Sequence, residues 1–193
     1  METRPDRFTA FADANVLVPA LWRNLLLTLA EAHAYRIRFS AQVLDETRRA
    51  LRRDIGLSDA VAERQVARIR DAFRDGVVAG YEPLIGAFGT APDPGDAHVM
   101  AAALSCGAGV IVTENLRDFP DALLGPLGIE AVGIDDFLAD AVDLDQERAA
   151  AAIRIMRLGL KRPEMDPAAL LASMRAHRLP QTAALLEGIA DQL

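Results

Sequence analysis

Residues 109–113 read Gly-Val-Ile-Val-Thr, an uncharged run dominated by β-branched side chains. Such a run suits a strand buried on both faces, which is the strand of a parallel sheet covered by helices. The rest of the chain supplies the alternation that this architecture needs. Phe8 to Asp13 (F-T-A-F-A-D) reads as a short strand ending on an acid, and Pro19 suits the first position of a helix carrying Leu21, Leu25, Leu26 and Leu29. Tyr35–Phe39 is a second strand, followed by Ser40 as the N-cap of a helix with Val43, Leu44 and Leu51 inward. Ser58 starts another helix (Val61, Val66, Ile69, Phe73) that stops at Gly76, and Val77–Tyr81 is a third strand. Asp93 and Pro94 open a helix through Val99–Leu104, closed by Gly107, and Gly128–Gly133 is the last strand. The expected fold is α/β, a parallel sheet flanked by helices over residues 1–140.

Strand signals stop near Leu138. Gln146–Leu158, Pro167–Arg175 and Gln181–Leu193 read as three helices, with turns near Pro163 and Pro180. They form a C-terminal helical extension, residues 141–193. Its apolar residues (among them Ile153, Met156, Leu170, Leu171 and Leu186) suit packing on the chain's own core, on a second copy in a homodimer, or on a partner protein.

Charge and composition narrow the function classes. The formal net charge is −7, so the chain is no general nucleic-acid coat, which needs a basic face for counterion release. All basic residues except Lys161 are arginine, and Arg48, Arg49, Arg52 and Arg53 cluster on one predicted helix. They read equally well as a solvated face with acid partners or as an RNA contact. A single cysteine, Cys106, forms no internal disulfide, and no Cys/His spacing suggests zinc. The longest uncharged run, Val99–Val112, is too short to span a membrane, and Asp13 and Pro19 interrupt the only candidate leader. A cytoplasmic protein without membrane attachment is expected.

Sites in parallel sheets form outside the carboxyl ends of the strands. Asp13 ends the first strand, Asn115 and Asp118 follow the Val-Ile-Val run, Asp96 lies in a helical first turn, and Glu46 follows the second strand. Each acid has a plain structural role available. Asp96 suits a helix N-terminus, Asp13 and Asp118 suit turns, and Glu46 suits pairing with Arg49 or Arg53. If all four meet, two like charges ~4 Å apart cost roughly 4 kcal/mol at an effective dielectric near 20. Protons or a cation must then neutralise them, and an all-oxygen ligand set selects Mg²⁺ or Mn²⁺. That points to metal-dependent phosphoryl hydrolysis.

The segments F-A-D-A-N-V-L (11–17), L-D-E (44–46), D-P-G-D-A-H-V-M-A-A-A (93–103) and V-T-E-N-L-R-D-F-P (112–120) resemble the PIN domain nucleases. Within that family they are similar to the VapC-type toxins of bacterial toxin–antitoxin pairs, in a longer branch with a helical tail. The resemblance runs from about Phe8 to Leu138. It implies a PIN-like fold and a Mg²⁺- or Mn²⁺-dependent endoribonuclease acting on RNA such as transfer or ribosomal RNA, with a cognate antitoxin as partner. By position, Asp13, Glu46 and Asp96 match the family's three core acids. Asn115 stands where many members have Asp, so Asp118 is expected to supply the fourth carboxylate and Asn115 to orient the site. Thr113 matches the hydroxyl residue beside the metal pocket. His98 is read as packing or hydrogen-bonding rather than ligating. Two alternatives stand beside this one. One is a PIN-like binding module without catalysis. The other is a haloacid-dehalogenase-like phosphatase with Asp13 as nucleophile, which expects an acid where this chain has Asn15.

Overall fold

The computed structural model describes residues 8–160 and 164–193; the turn expected near Pro163 lies outside them. Strands β1 (Thr9–Ala12), β2 (Arg36–Ser40), β3 (Val77–Val78), β4 (Val110–Val112) and β5 (Glu130–Val132) form one sheet in the order β3-β2-β1-β4-β5. All four pairings are parallel, with Phe11 opposite Arg38 on one side and Ile111 on the other. The expected parallel α/β fold is therefore the observed one. β1 is central, and the chain winds away from it toward β2 on one side and toward β4 on the other. The β1–β4 boundary is the topological switch point, where open sheets of this kind place their ligands.

The helices are α1 (Ala14–Leu17), α2 (Ala20–Glu31), α3 (Ala41–Arg53), α4 (Asp59–Ala72), α5 (Ala97–Ser105), α6 (Asp121–Leu124), α7 (Ile134–Asp143), α8 (Gln146–Gly159), α9 (Pro167–Ala176) and α10 (Pro180–Glu187). By contacts the chain divides into two compact units. The first holds the sheet with α1 and α3–α6; the second holds residues 20–35 and everything from Gly133 on, and so takes in α2.

In the first unit, α5 packs on β1, β2 and β4. Every residue from Ala97 to Ala103 is buried, and the alanines let this helix lie close to Phe11, Ile111 and Val112, which are fully buried themselves. The uncharged run Val99–Val112 is thus one buried helix followed by one buried strand, as the sequence pattern suggests. Ser40 caps α3 as expected, its hydroxyl accepting from the Val43 amide at 3.1 Å. Some details differ from the sequence reading. β3 ends at Val78 rather than Tyr81, because Gly80 turns the chain at φ +77° into a 3₁₀ helix over Glu82–Phe88. Residues 134–143, to which no element was assigned, are helical, burying Ile134, Phe137, Leu138, Ala141 and Val142 along one stripe.

The second unit has its own core. Tyr35 donates to the Leu26 carbonyl at 2.6 Å and meets Phe137 edge-on at 4.8 Å. Trp22 Nε1 donates to the His177 carbonyl at 2.7 Å. Asp135 accepts from the Gln181 and Thr182 amides and the Thr182 hydroxyl, so α7 satisfies the otherwise orphaned amides at the start of α10. Ile153, Leu170, Leu171 and Leu186 are buried here, which takes up much of the apolar surface of the tail helices. No helix among the described residues is long and apolar enough to cross a membrane.

Candidate metal centre at the end of the sheet

β1 and β4 deliver the first two side chains. Asp13 follows β1, and its amide still donates to the Val112 carbonyl at 3.1 Å. Thr113 follows β4 in the same way, bonded to the Val132 carbonyl at 3.0 Å. The two meet across the switch point: Thr113 Oγ1 donates to Asp13 Oδ2 at 2.8 Å. Asn15 Nδ2 donates to the same oxygen at 2.7 Å, and the Ala14 amide donates to Oδ1 at 2.6 Å. Thr113 Oγ1 also accepts from Asn15 Nδ2 and from the Asn115 amide, while Asn15 Oδ1 accepts from the Glu114 amide. Asp13 is therefore held on both oxygens, and only 6% of it is exposed. Burial raises its pKa, the Thr113 hydroxyl and Ala14 amide pull it back, and the Glu46 carboxylate adds to the rise.

Helix α3 brings Glu46, whose Oε1 accepts from Gln42 Nε2 at 3.2 Å and pairs with His98 Nε2 at 3.1 Å. His98 is buried on α5, and its Nδ1 has no hydrogen-bond partner among the described residues. The expected hydrogen-bonding role for His98 thus falls on a carboxylate of the site.

The turn into α5 brings two more acids. Asp93 accepts from the Gly95 amide at 2.7 Å, and Asp96 follows at the end of the same 3₁₀ turn. Asp118, in the turn after β4, accepts from Asn115 Nδ2. One carboxylate oxygen from each of Asp93, Asp96 and Asp118 lies within 4.8 Å of the others. Burial first, then the charges of Asp13, Asp93 and Asp118, push the Asp96 carboxyl up to about 6. Its Oδ2 is buried and has no hydrogen-bond partner among the described residues.

A cavity of about 440 Å³ is lined by Asp13, Asn15, Glu46 and Asn115, with Arg49, Arg53 and Asp54 on α3 and its C-cap, and of the three clustered aspartates Asp96 reaches it. Of the residues singled out in the sequence, Asp13, Glu46, Asp96 and Asn115 line it, Asp118 stands beside Asp96, and Thr113 stands behind Asp13. Arg49 and Arg53 line it as well; Arg48 and Arg52 instead pair with Asp59 of α4 at 2.9 and 3.3 Å. Two members were missed. In the sequence Asp93 reads only as a helix cap, although the D-P-G-D spacing puts a second acid in the same turn. Asn15 belongs to the F-A-D-A-N-V-L segment but carries no site role in the sequence reading, and its tie to Thr113 spans 98 positions, which no local signal announces.

A buried, unpartnered carboxylate oxygen beside three further acids is a poor arrangement for the protein alone and a good one for a hard cation. The donor set is oxygen only, which fits Mg²⁺ or Mn²⁺ and not a thiolate-seeking metal. Fold and site together define a parallel α/β domain with a cluster of carboxylates at its switch point.

The comparisons with known proteins place the fold in a family. The PIN domain family model matches residues 9–117, more than half of the chain, and a second model, the VapC50 C-terminal domain, matches residues 134–188. The chain belongs to the PIN domain family, as a VapC-type member with a C-terminal extension. It is 42% identical over 105 residues to the Mycobacterium tuberculosis protein named "Putative ribonuclease VapC50". That stretch is 54% of this chain and 60% of the relative, so the chain spans about three fifths of that relative's length. No solved structure matches the chain.

Proposed function

We propose that the protein is a divalent-metal-dependent endoribonuclease, the toxin of a VapBC-type pair, working in the cytoplasm with a cognate antitoxin as its partner. The observation that carries this reading is Asp96: a buried carboxylate oxygen without a donor, among like charges, at the switch point of a PIN domain. The ribonuclease name of the 42%-identical relative supports RNA as the substrate class.

Asp96, Asp93 and Asp118 would hold the ion, with Asp13 beside them. A divalent cation supplies Lewis acidity toward the phosphate and relieves charge on the leaving oxygen. The chain's own part is positioning. Thr113, Asn15 and the Ala14 amide fix Asp13 in one orientation without any ligand. His98 and Gln42 fix Glu46 through Oε1, placing a restrained carboxylate on the cavity wall to accept a proton from an attacking water. Asn115 holds Asp118 toward Asp96. The phosphatase alternative has weaker support, because both oxygens of Asp13 are engaged and position 15 carries an amide.

The test is cleavage of structured RNA by the purified chain in MnCl₂ or MgCl₂, with EDTA and Asp96→Asn as controls. Cleavage that requires the ion and is lost in the variant is expected. Cleavage that persists undiminished in EDTA removes the metal role, and binding of RNA without cleavage in any divalent ion favours a binding module.

A further inference from the structure

A polyanion cannot lie across four or five carboxylates in a chain of net charge −7 unless cations on the rim hold its phosphates. Helix α3 provides two candidate stripes. Asp45, Arg48 and Arg52 follow one another at three and four residues, and both arginines pair with Asp59 of α4. Glu46, Arg49 and Arg53 follow at the same spacing one residue on, and all three line the cavity. Arg49 and Arg53 stand one helical turn apart, ~6 Å along the axis.

Their partners are exchangeable. Arg49 meets Asp45 at 3.0 Å with over half of its side chain exposed. Arg53 forks onto its own neighbour Asp54 at 2.7 and 2.9 Å, with three quarters of its side chain exposed. Exposed pairs of this kind contribute little and give way to a better anion. The planar guanidinium fork that grips a carboxylate also fits a phosphate, and Asp54 itself lines the cavity.

Resting on the reading of the cavity as the RNA-cleaving site, we infer that Arg49 and Arg53 form the clamp for the backbone phosphates of a single-stranded RNA segment, and that the Asp54 carboxylate occupies the Arg53 fork until RNA displaces it. Arg48 and Arg52 serve the α3–α4 contact instead.

The experiment measures binding of a fluorescent single-stranded oligoribonucleotide across a KCl series, in the cleavage-disarmed Asp96→Asn chain without divalent ion. Arg49→Ala and Arg53→Ala are each expected to weaken binding about tenfold at low salt and to lower the salt slope by ~0.7. Arg52→Ala, the same charge change on the other stripe, leaves the slope in place. Asp54→Asn tightens binding several-fold, and Arg53→Ala cancels that gain. Slopes unchanged in both Arg49→Ala and Arg53→Ala overturn the clamp, as does an absence of binding at the lowest salt. Polyglutamate competing equally well, with the same arginine dependence, overturns it in favour of an acidic protein segment. Cleavage by the parent chain is read separately: a cleaving parent with unchanged slopes loses only the clamp, and a non-cleaving parent with arginine-dependent RNA binding loses only the nuclease.

Discussion

Asp13 and Asp96 carry the same group into the same cavity from opposite circumstances. Asp13 stands where two adjacent strands end, and three donors from the chain engage both of its oxygens. Asp96 stands in a turn before a helix, with one buried oxygen left bare and three acids around it. The first is oriented by the fold itself. The second is incomplete without something from solution, and only an arrangement of that second kind calls for a cation.

The comparison breaks or stands first on activity. Asp13→Asn and Asp96→Asn should each cut metal-dependent RNA cleavage by at least ~100-fold, the scale of losing one preorganised electrostatic group. Their stabilities should then part. Without divalent ion, Asp13→Asn disturbs an acceptor engaged by three donors and costs about 1–3 kcal/mol in denaturant unfolding. Asp96→Asn relieves repulsion and unfolds at the same or higher denaturant. Equal destabilisation by both would erase the distinction.

Ion binding sharpens the contrast. A ligand at 100 times its Kd adds about 2.7 kcal/mol to the folded state. The parent's melting temperature should therefore rise with MnCl₂, while that of Asp96→Asn moves little. An equal rise in both would put the ion elsewhere.

The pH dependence follows from the Asp96 shift. Its folded pKa, about 6, lies above the ordinary 3.8, so between those values the native state holds the extra proton. Stability from this group is present below pH ~4 and lost as pH rises through 6. The shift corresponds to roughly 3 kcal/mol, discounted to about 1–2 because Asp96 is only partly buried. In EDTA, Asp96→Asn should match the parent near pH 4 and exceed it by that amount at pH 7. A gap that narrows as pH rises would contradict the repulsive cluster.

Why some of this was legible in the sequence and some was not is itself a matter of range. The Val-Ile-Val run, the Ser40 cap and the acid after each strand announce themselves within a few residues, and the parallel sheet follows from their alternation. Helix α7 carried an equally plain apolar stripe, hidden because it begins immediately after β5 with no linker. The Asn15–Thr113 bond and the His98–Glu46 pair are products of the fold, joining residues that sequence spacing cannot relate. The arginines of α3 were visible as a cluster, yet only the helix's placement separates the stripe facing α4 from the stripe facing the acids.

The smallest effect tests how finely the Asp96 side is built. Gly95 lies between the two acids of the turn, and a Cβ there would sit 3.0 Å from Asp93 Oδ1, tighter than ordinary contact. Asp93 is exposed, so Gly95→Ala should cost little stability, within about 0.5 kcal/mol. It should move the Asp93 carboxylate away from Asp96 and Asp118 and so weaken Mn²⁺ affinity by about tenfold, the low end for disturbing a ligand's support. Titration calorimetry with Mn²⁺ reads this directly. An unchanged affinity would leave Asp93 as a helix cap and restrict the ion's holders to Asp96, Asp118 and Asp13.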